Sequence, residues 1–128
     1  MTNKEIYLGA LALIAEPQGP SAADYEERAP YIIAGFLSEN AALDNQYRRA
    51  MGEVVKKHRH PAYAALDEEF PLSDRFATPA QFYLASMLIS DEDTDRADDL
   101  FDRFCTGMTT IMAEIPAVAE KITNAYGI

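Results

Sequence analysis

Apolar residues in the last third of the chain recur with the period of an α-helix, and this pattern constrains the fold more than any other feature. Residues three and four apart are neighbours on a helix surface, so this spacing places large apolar side chains on one side. A helix with such a face must bury it against another element. The positions are Leu100, Phe101, Phe104, Cys105, Met108, Ile111, Met112 and Ile115.

Helix signals also mark the start of the chain. Thr2 and Glu5 have the spacing of a capping box, in which each side chain accepts a hydrogen bond from the other residue's backbone N–H. Apolar residues at helical spacing follow, and Pro17 predicts the end of this first helix. They are Ile6, Ala10, Leu13 and Ile14, with Leu11 close to the same face.

A second helix is predicted to start at Ser21, where Asp24 supplies another capping-type spacing. Pro30 interrupts its apolar stripe and predicts a kink or a later start. The more polar residues 38–51 either continue this helix or form a separate one after a bend near Glu39. The stripe is Tyr25, Ala29, Ile32, Ile33, Phe36 and Leu37, and the polar part adds Leu43, Tyr47 and Met51.

The rest of the chain completes an all-α pattern. Residues 74–90 predict a third helix, with Pro79 at a kink or in the first turn, and Thr94 is a candidate cap for the last helix. Residues 52–73 predict a long connection with at most one short helical turn or strand, and long connections are often functional. We therefore expect a small bundle of about four helices, with its core between the third and the last. Residues 1–116 form the predicted domain, and residues 117–128 a C-terminal tail.

Composition narrows the function classes. With 21 acids against 11 bases, the net charge is −10, which argues against general nucleic-acid binding and against anionic membranes. The only basic cluster is Lys56-Lys57-His58-Arg59-His60, beside Arg48-Arg49. We read no membrane span and no signal peptide, and the single cysteine excludes an internal disulfide and suits a reducing cytoplasm.

The most acidic stretch begins just before the last helix. Asp91, Asp93 and Asp95 have the alternate spacing of the first ligands in an EF-hand calcium loop. The sixth position, however, is Arg96 where that loop needs glycine, so we expect no metal site. Acids near a helix N-terminus are favoured by its dipole, and we expect a negative surface patch. Its members are Asp91, Asp93, Asp95, Asp98, Asp99 and Asp102.

No catalytic constellation is apparent in the sequence. His58 and His60 lie on the predicted loop and are expected to be solvated, because neither nearby acid, Glu53 or Asp67, is positioned by the pattern. Cys105 is expected to be a buried, inert thiol on the apolar face of the last helix. We therefore predict a protein that is not an enzyme and has no cofactor.

The predicted tail carries an apolar residue at every fourth position. Val118, Ile122 and Tyr126 follow Pro116, which ends or kinks the last helix. These side chains either fold back on their own domain or contact a neighbouring subunit, since apolar side chains left at a terminus often mark an interaction site.

Several segments in this order resemble the small head–tail connector (adaptor) proteins of tailed bacteriophages and prophages. The most suggestive are "YEERAP" before an apolar helix, "LDEEFPLSDRF" before "FYLASMLISDED", and the terminal "ITNAYG". The resemblance covers nearly the whole chain, although "KKHRHPAY" has no counterpart.

The resemblance implies a helical protein that oligomerises into a ring between the portal protein and tail-proximal proteins. It would be made in the bacterial cytoplasm and would end at the head–tail junction of the virion. An acidic stretch near the channel would then keep DNA from adhering as it passes. The competing interpretation is a small acidic interaction or regulatory protein of a bacterium, unrelated to capsids.

Overall fold

The computed structural model describes residues 1–14 and 22–115, and these residues form an all-α bundle without a β-strand. The predicted fold class is thereby confirmed. No helix in this part of the chain is both long and apolar enough to cross a bilayer. The elements are α1 (Asn3–Ile14), α2 (Ala22–Ala50), a 3-10 turn (Asp74–Phe76), α3 (Ala77–Ile89) and α4 (Thr94–Ala113).

Helix α1 begins with the predicted capping box. Glu5 N–H donates to Thr2 Oγ1 at 3.3 Å, and Thr2 N–H donates to Glu5 Oε1 at 3.4 Å. The next two free N–H groups of the first turn, on Asn3 and Lys4, donate to carbonyls of residues 68 and 66 in the middle connection. The connection therefore satisfies backbone donors that a helix start leaves unpaired.

Helix α2 is a single helix of 29 residues. Of the two predicted alternatives, residues 38–50 therefore continue the second helix and do not form a separate one after a bend near Glu39. Of the two alternatives predicted at Pro30, the late start is wrong, because the turn before this residue is also helical. Tyr25 and Ala29 in that turn are fully buried. This burial contributes enough to offset a proline in a helix interior, which costs about 3 kcal/mol.

Helix α3 is the centre of the bundle and contacts all three other helices, with α4 as its most extensive partner. The predicted core between α3 and α4 is confirmed. Pro79 is the third residue of α3, where a backbone N–H has no partner within the helix in any case. A Cβ on Gly107 of α4 would lie 3.2 Å from Pro79 Cγ, so glycine permits a close approach of α4 to α3 at this point.

The N-cap of helix α4 is Asp93, one residue before Thr94, the candidate cap predicted from the sequence. The Asp93 carboxylate accepts from Arg96 N–H at 3.1 Å. The apolar stripe is also narrower than predicted, since α3 covers only part of the helix circumference. Leu100, Met108, Ile111 and Ile115 are buried, Phe104 is half-buried, and Phe101, Cys105 and Met112 are exposed.

Candidate functional site

The connecting segment (residues 51–73) follows a defined path along α2. Its Lys56 backbone exchanges two 2.8 Å hydrogen bonds with the Asn45 side chain, and Ala64 N–H donates to Pro30 O at 3.0 Å. Residues 30 and 45 are about 22 Å apart along a helix, and eight residues span at most about 26–29 Å. Residues 56–64 are therefore nearly extended and run back along α2 toward its first turns.

A buried carboxylate holds the segment to α2. The side chain of Asp44 is fully buried, and each of its oxygens accepts two hydrogen bonds. Oδ1 accepts from Ser73 N–H at 2.8 Å and from Ser73 Oγ at 2.7 Å. Oδ2 accepts from Arg48 Nε at 2.8 Å and lies 2.7 Å from His58 Nε2. Since a carboxylate only accepts, His58 Nε2 carries the proton of that bond.

The environment favours the ionised form of Asp44. Burial alone would raise the pKa of this carboxyl. The hydrogen bonds from Arg48, from the backbone and hydroxyl of Ser73 and from His58 together outweigh burial and hold the pKa below its ordinary value. Hydrogen bonds to the charged form have this effect generally.

This group of Ser, His and Asp does not have the order of a catalytic triad. In a triad the histidine lies between the serine and the carboxylate and removes the serine proton. Here Asp44 lies between Ser73 and His58, and Ser73 Oγ donates to a carboxylate that is a weak base. The arrangement joins α2 to two points of the connecting segment.

The prediction that the His58 side chain is solvated is therefore wrong. Its side chain is 5% exposed, and its partner is Asp44, on α2, rather than Glu53 or Asp67. His60 is exposed, as predicted. The signal for Asp44 was present in the sequence, because the stripe of α2 continues through positions 40, 41 and 44 at helical spacing. A charge at such a position, with Arg48 one turn later, indicates a buried and paired carboxylate.

The outer side of the connecting segment exposes large apolar side chains. Val54 is 85% exposed, and Val55 and Tyr63 are about half exposed. The Tyr63 ring packs edge-on against Tyr31 of α2, with centroids 5.0 Å apart, and Tyr31 is itself 60% exposed. Because hydrogen bonds hold the segment at residues 56, 58 and 64, these side chains are exposed at fixed positions along it.

A cleft of about 360 Å³ opens between residues 56–64 and residues 68–71 of the connecting segment, with Asn3 of α1 and Leu37 of α2 also in its lining. Its walls carry Lys57 and Arg59 on the one hand and Glu68 and Glu69 on the other. Asn3, also at this cleft, is buried, with Nδ2 donating to Ala65 O at 2.9 Å and Oδ1 without a partner in the described chain. Asn3 Oδ1 is closed off from the cleft, so a ligand in the cleft would not reach it.

The predicted acidic residues are all exposed, at the start of α4 and in the turn before it. Asp95, Asp98, Asp99 and Asp102 lie at i, i+3, i+4 and i+7 and form one face, opposite the side that packs on α3. Asp99 pairs with Arg103 at 3.2 Å, whereas Asp93 serves as the helix cap. Among residues 1–14 and 22–115, no three His, Cys, Asp or Glu side chains converge as metal ligands would.

Two further sequence predictions have different outcomes. Cys105 is exposed, so the prediction of a buried thiol is wrong. The candidate subunit contacts Val118, Ile122 and Tyr126 lie outside the described residues.

The sequence matches no protein-family model, and neither curated proteins nor solved structures give a match.

Proposed function

We propose that this chain is a structural protein of a tailed phage or prophage, a head–tail connector whose copies assemble into a ring between the portal and the tail. The proposal begins from the resemblance of its segments, in their order, to connector proteins. The all-α bundle with a long middle connection is compatible with that resemblance.

The observation that carries the proposal is the fixed, apolar outer side of the connecting segment. A fully buried carboxylate with four hydrogen bonds holds residues whose apolar side chains point outward. Val54 and Tyr63 contribute little to the core of their own chain at 85% and 50% exposure. Ordering a segment costs conformational entropy, and an ordered apolar surface lowers the cost of binding a partner. Such a surface suits a protein that assembles with others.

The proposed ring also gives a use to the predicted tail. Val118, Ile122 and Tyr126 are the candidate contacts to a neighbouring subunit, and the portal and tail-proximal proteins cover the two ends of the ring. In this proposal the chain has no catalytic activity and no cofactor.

The test is to delete the gene for this protein from the prophage. We expect this gene to lie beside portal, capsid and tail genes. After induction, electron microscopy should find DNA-filled heads and separate tails, and a plasmid copy should restore joined particles. Normal tailed particles from the deletion strain would overturn the proposal and support the small acidic regulatory protein instead.

A further inference from the structure

Two exposed surfaces of this chain are complementary in charge. The first, the segment patch, consists of Val54, Val55, Lys57, Arg59 and Tyr63 on the connecting segment. The second, the acidic face, consists of Asp95, Asp98, Asp99 and Asp102 on α4. Residues 51–63 carry three Lys or Arg and one acid, whereas residues 91–102 carry seven acids and one arginine.

The cations of the segment patch are available for a partner. Lys57 is exposed and has neither a hydrogen bond nor an ion pair within the described residues. Arg59 is 85% exposed, and its nearest carboxylate, Glu68, is 3.7 Å away. An exposed ion pair of this kind contributes about 0–1 kcal/mol. Arg59 can therefore exchange Glu68 for another carboxylate at little cost.

The carboxylates of the acidic face are equally available. Asp95, Asp98 and Asp102 have no hydrogen bond or ion pair in the described part of the chain, and Asp99 pairs only with Arg103 on the same helix. Seven acids within twelve residues repel one another, and a cationic partner relieves that repulsion.

Apolar side chains lie beside the charges on both surfaces. Phe101 borders the acidic face and is 39% exposed, and Val54, Val55 and Tyr63 belong to the segment patch. A contact between the two surfaces would join apolar to apolar and acid to base. Interfaces commonly combine an apolar centre with a charged rim that selects the partner.

The two surfaces lie on different parts of the fold. The connecting segment is bonded to α1 and α2, whereas α4 packs mainly on α3. No ion pair within the described residues joins them. Two different but complementary patches on one chain produce a head-to-tail contact, which closes into a ring or extends as a filament.

We propose that the acidic face of one copy docks on the segment patch of the next copy. This inference deepens the proposed connector function, because it assigns the contact between neighbouring subunits of the ring. It also places the acidic face between subunits rather than on the channel wall.

The test uses purified full-length protein and two charge-reversed variants, Lys57→Glu/Arg59→Glu and Asp98→Lys/Asp102→Lys. These side chains are exposed, so both variants should keep the wild-type circular dichroism spectrum and melting temperature. In sedimentation velocity at roughly 50 mM salt the wild type should associate, and at roughly 500 mM it should dissociate. Each variant alone should associate at least about tenfold more weakly.

Mixing the variants gives the decisive result. The reversed patch of one variant is acidic and the reversed helix of the other is basic, so alternating copies regain complementary contacts on both sides. The mixture should therefore associate as the wild type does. A control variant, Glu26→Lys/Glu27→Lys, changes the net charge as much as Asp98→Lys/Asp102→Lys at exposed positions elsewhere and should behave as the wild type.

A wild type that stays monomeric at low salt, variants that associate normally, or a mixture that stays dissociated would each overturn the inference. The connector function is judged separately by the deletion phenotype. Unjoined heads and tails together with a failed mixing experiment would retain the function and remove this interface. Restored association in the mixture, together with normal phage from the deletion strain, would retain this interface and remove the connector function.

Discussion

Replacement of Asp44 by alanine should destabilise the protein more than the loss of any other carboxylate in the described part of the chain. Asp44 is the only Asp or Glu there that is fully buried, and it accepts from Ser73, Arg48 and His58 at 2.7–2.8 Å. The change removes four acceptor contacts at once. It also leaves Arg48 and His58 largely buried, with side-chain exposures of 17% and 5%, and without their carboxylate.

The expected cost is about 3–5 kcal/mol, the range for removing one partner from a buried ionic cluster. The whole free energy of unfolding of such a domain is about 5–15 kcal/mol. The melting temperature should fall by about 10–20 °C, since each kcal/mol is worth a few degrees at this size. The connecting segment should also become more accessible, because it loses its attachment at two points.

Urea unfolding followed by circular dichroism measures the cost, and limited proteolysis between residues 51 and 73 measures the local effect. Asp24→Ala is the matched control. It removes the same charge and an ion pair of 3.3 Å with Arg28, but its side chain is 60% exposed, so we expect less than about 0.5 kcal/mol. A cost below about 1 kcal/mol for Asp44→Ala would refute the structural role of the cluster.

Four smaller predictions follow from the same structure. The pKa of Asp44 is lowered on folding, so its contribution is complete above the ordinary carboxyl value of 3.8 and is lost as the pH falls through the folded value. The stability difference between wild type and Asp44→Ala should therefore be constant from about pH 7 to 5 and shrink below about pH 4, and a difference that grows on acidification would contradict this. Ser73→Ala should cost about 1–3 kcal/mol in urea unfolding, and an unchanged midpoint would show that the Ser73 hydroxyl does not stabilise the cluster. Gly107→Val should cost about 1–3 kcal/mol by crowding Pro79, while Thr106→Val on the exposed side should change the free energy of unfolding by less than about 0.5 kcal/mol. Cys105 should react with a maleimide in the native state as quickly as in urea, and labelling only after unfolding would contradict its exposure.

Local signals predicted the helices well, because each depends on neighbouring residues. The capping box at Thr2 and Glu5 forms as its spacing predicts, and the apolar periodicity places α3 and α4 correctly. The turn before Pro30 was harder, because proline argues against a helix interior. The burial of Tyr25, which depends on the whole fold, decides the outcome there.

The carboxylate cluster could not be predicted in full, because its members meet only through tertiary structure. Asp44 and Arg48 are one turn apart and visible as a pair, but His58 and Ser73 come from distant parts of a segment without periodicity. The burial of Cys105 was predicted wrongly for a related reason. Periodicity identifies the apolar side of α4, whereas the width that is covered depends on α3.

The proposed ring at the portal can be observed by cryo-electron microscopy of the portal vertex. Purified protein would be added to the tailless heads from the deletion strain. The portal vertex would then be reconstructed with and without the added protein. We expect a new ring of helical subunits on the outer side of the portal, with α4 of each subunit against the connecting segment of the next. A portal vertex that looks the same after a saturating amount of the purified protein has been added would contradict the proposed ring.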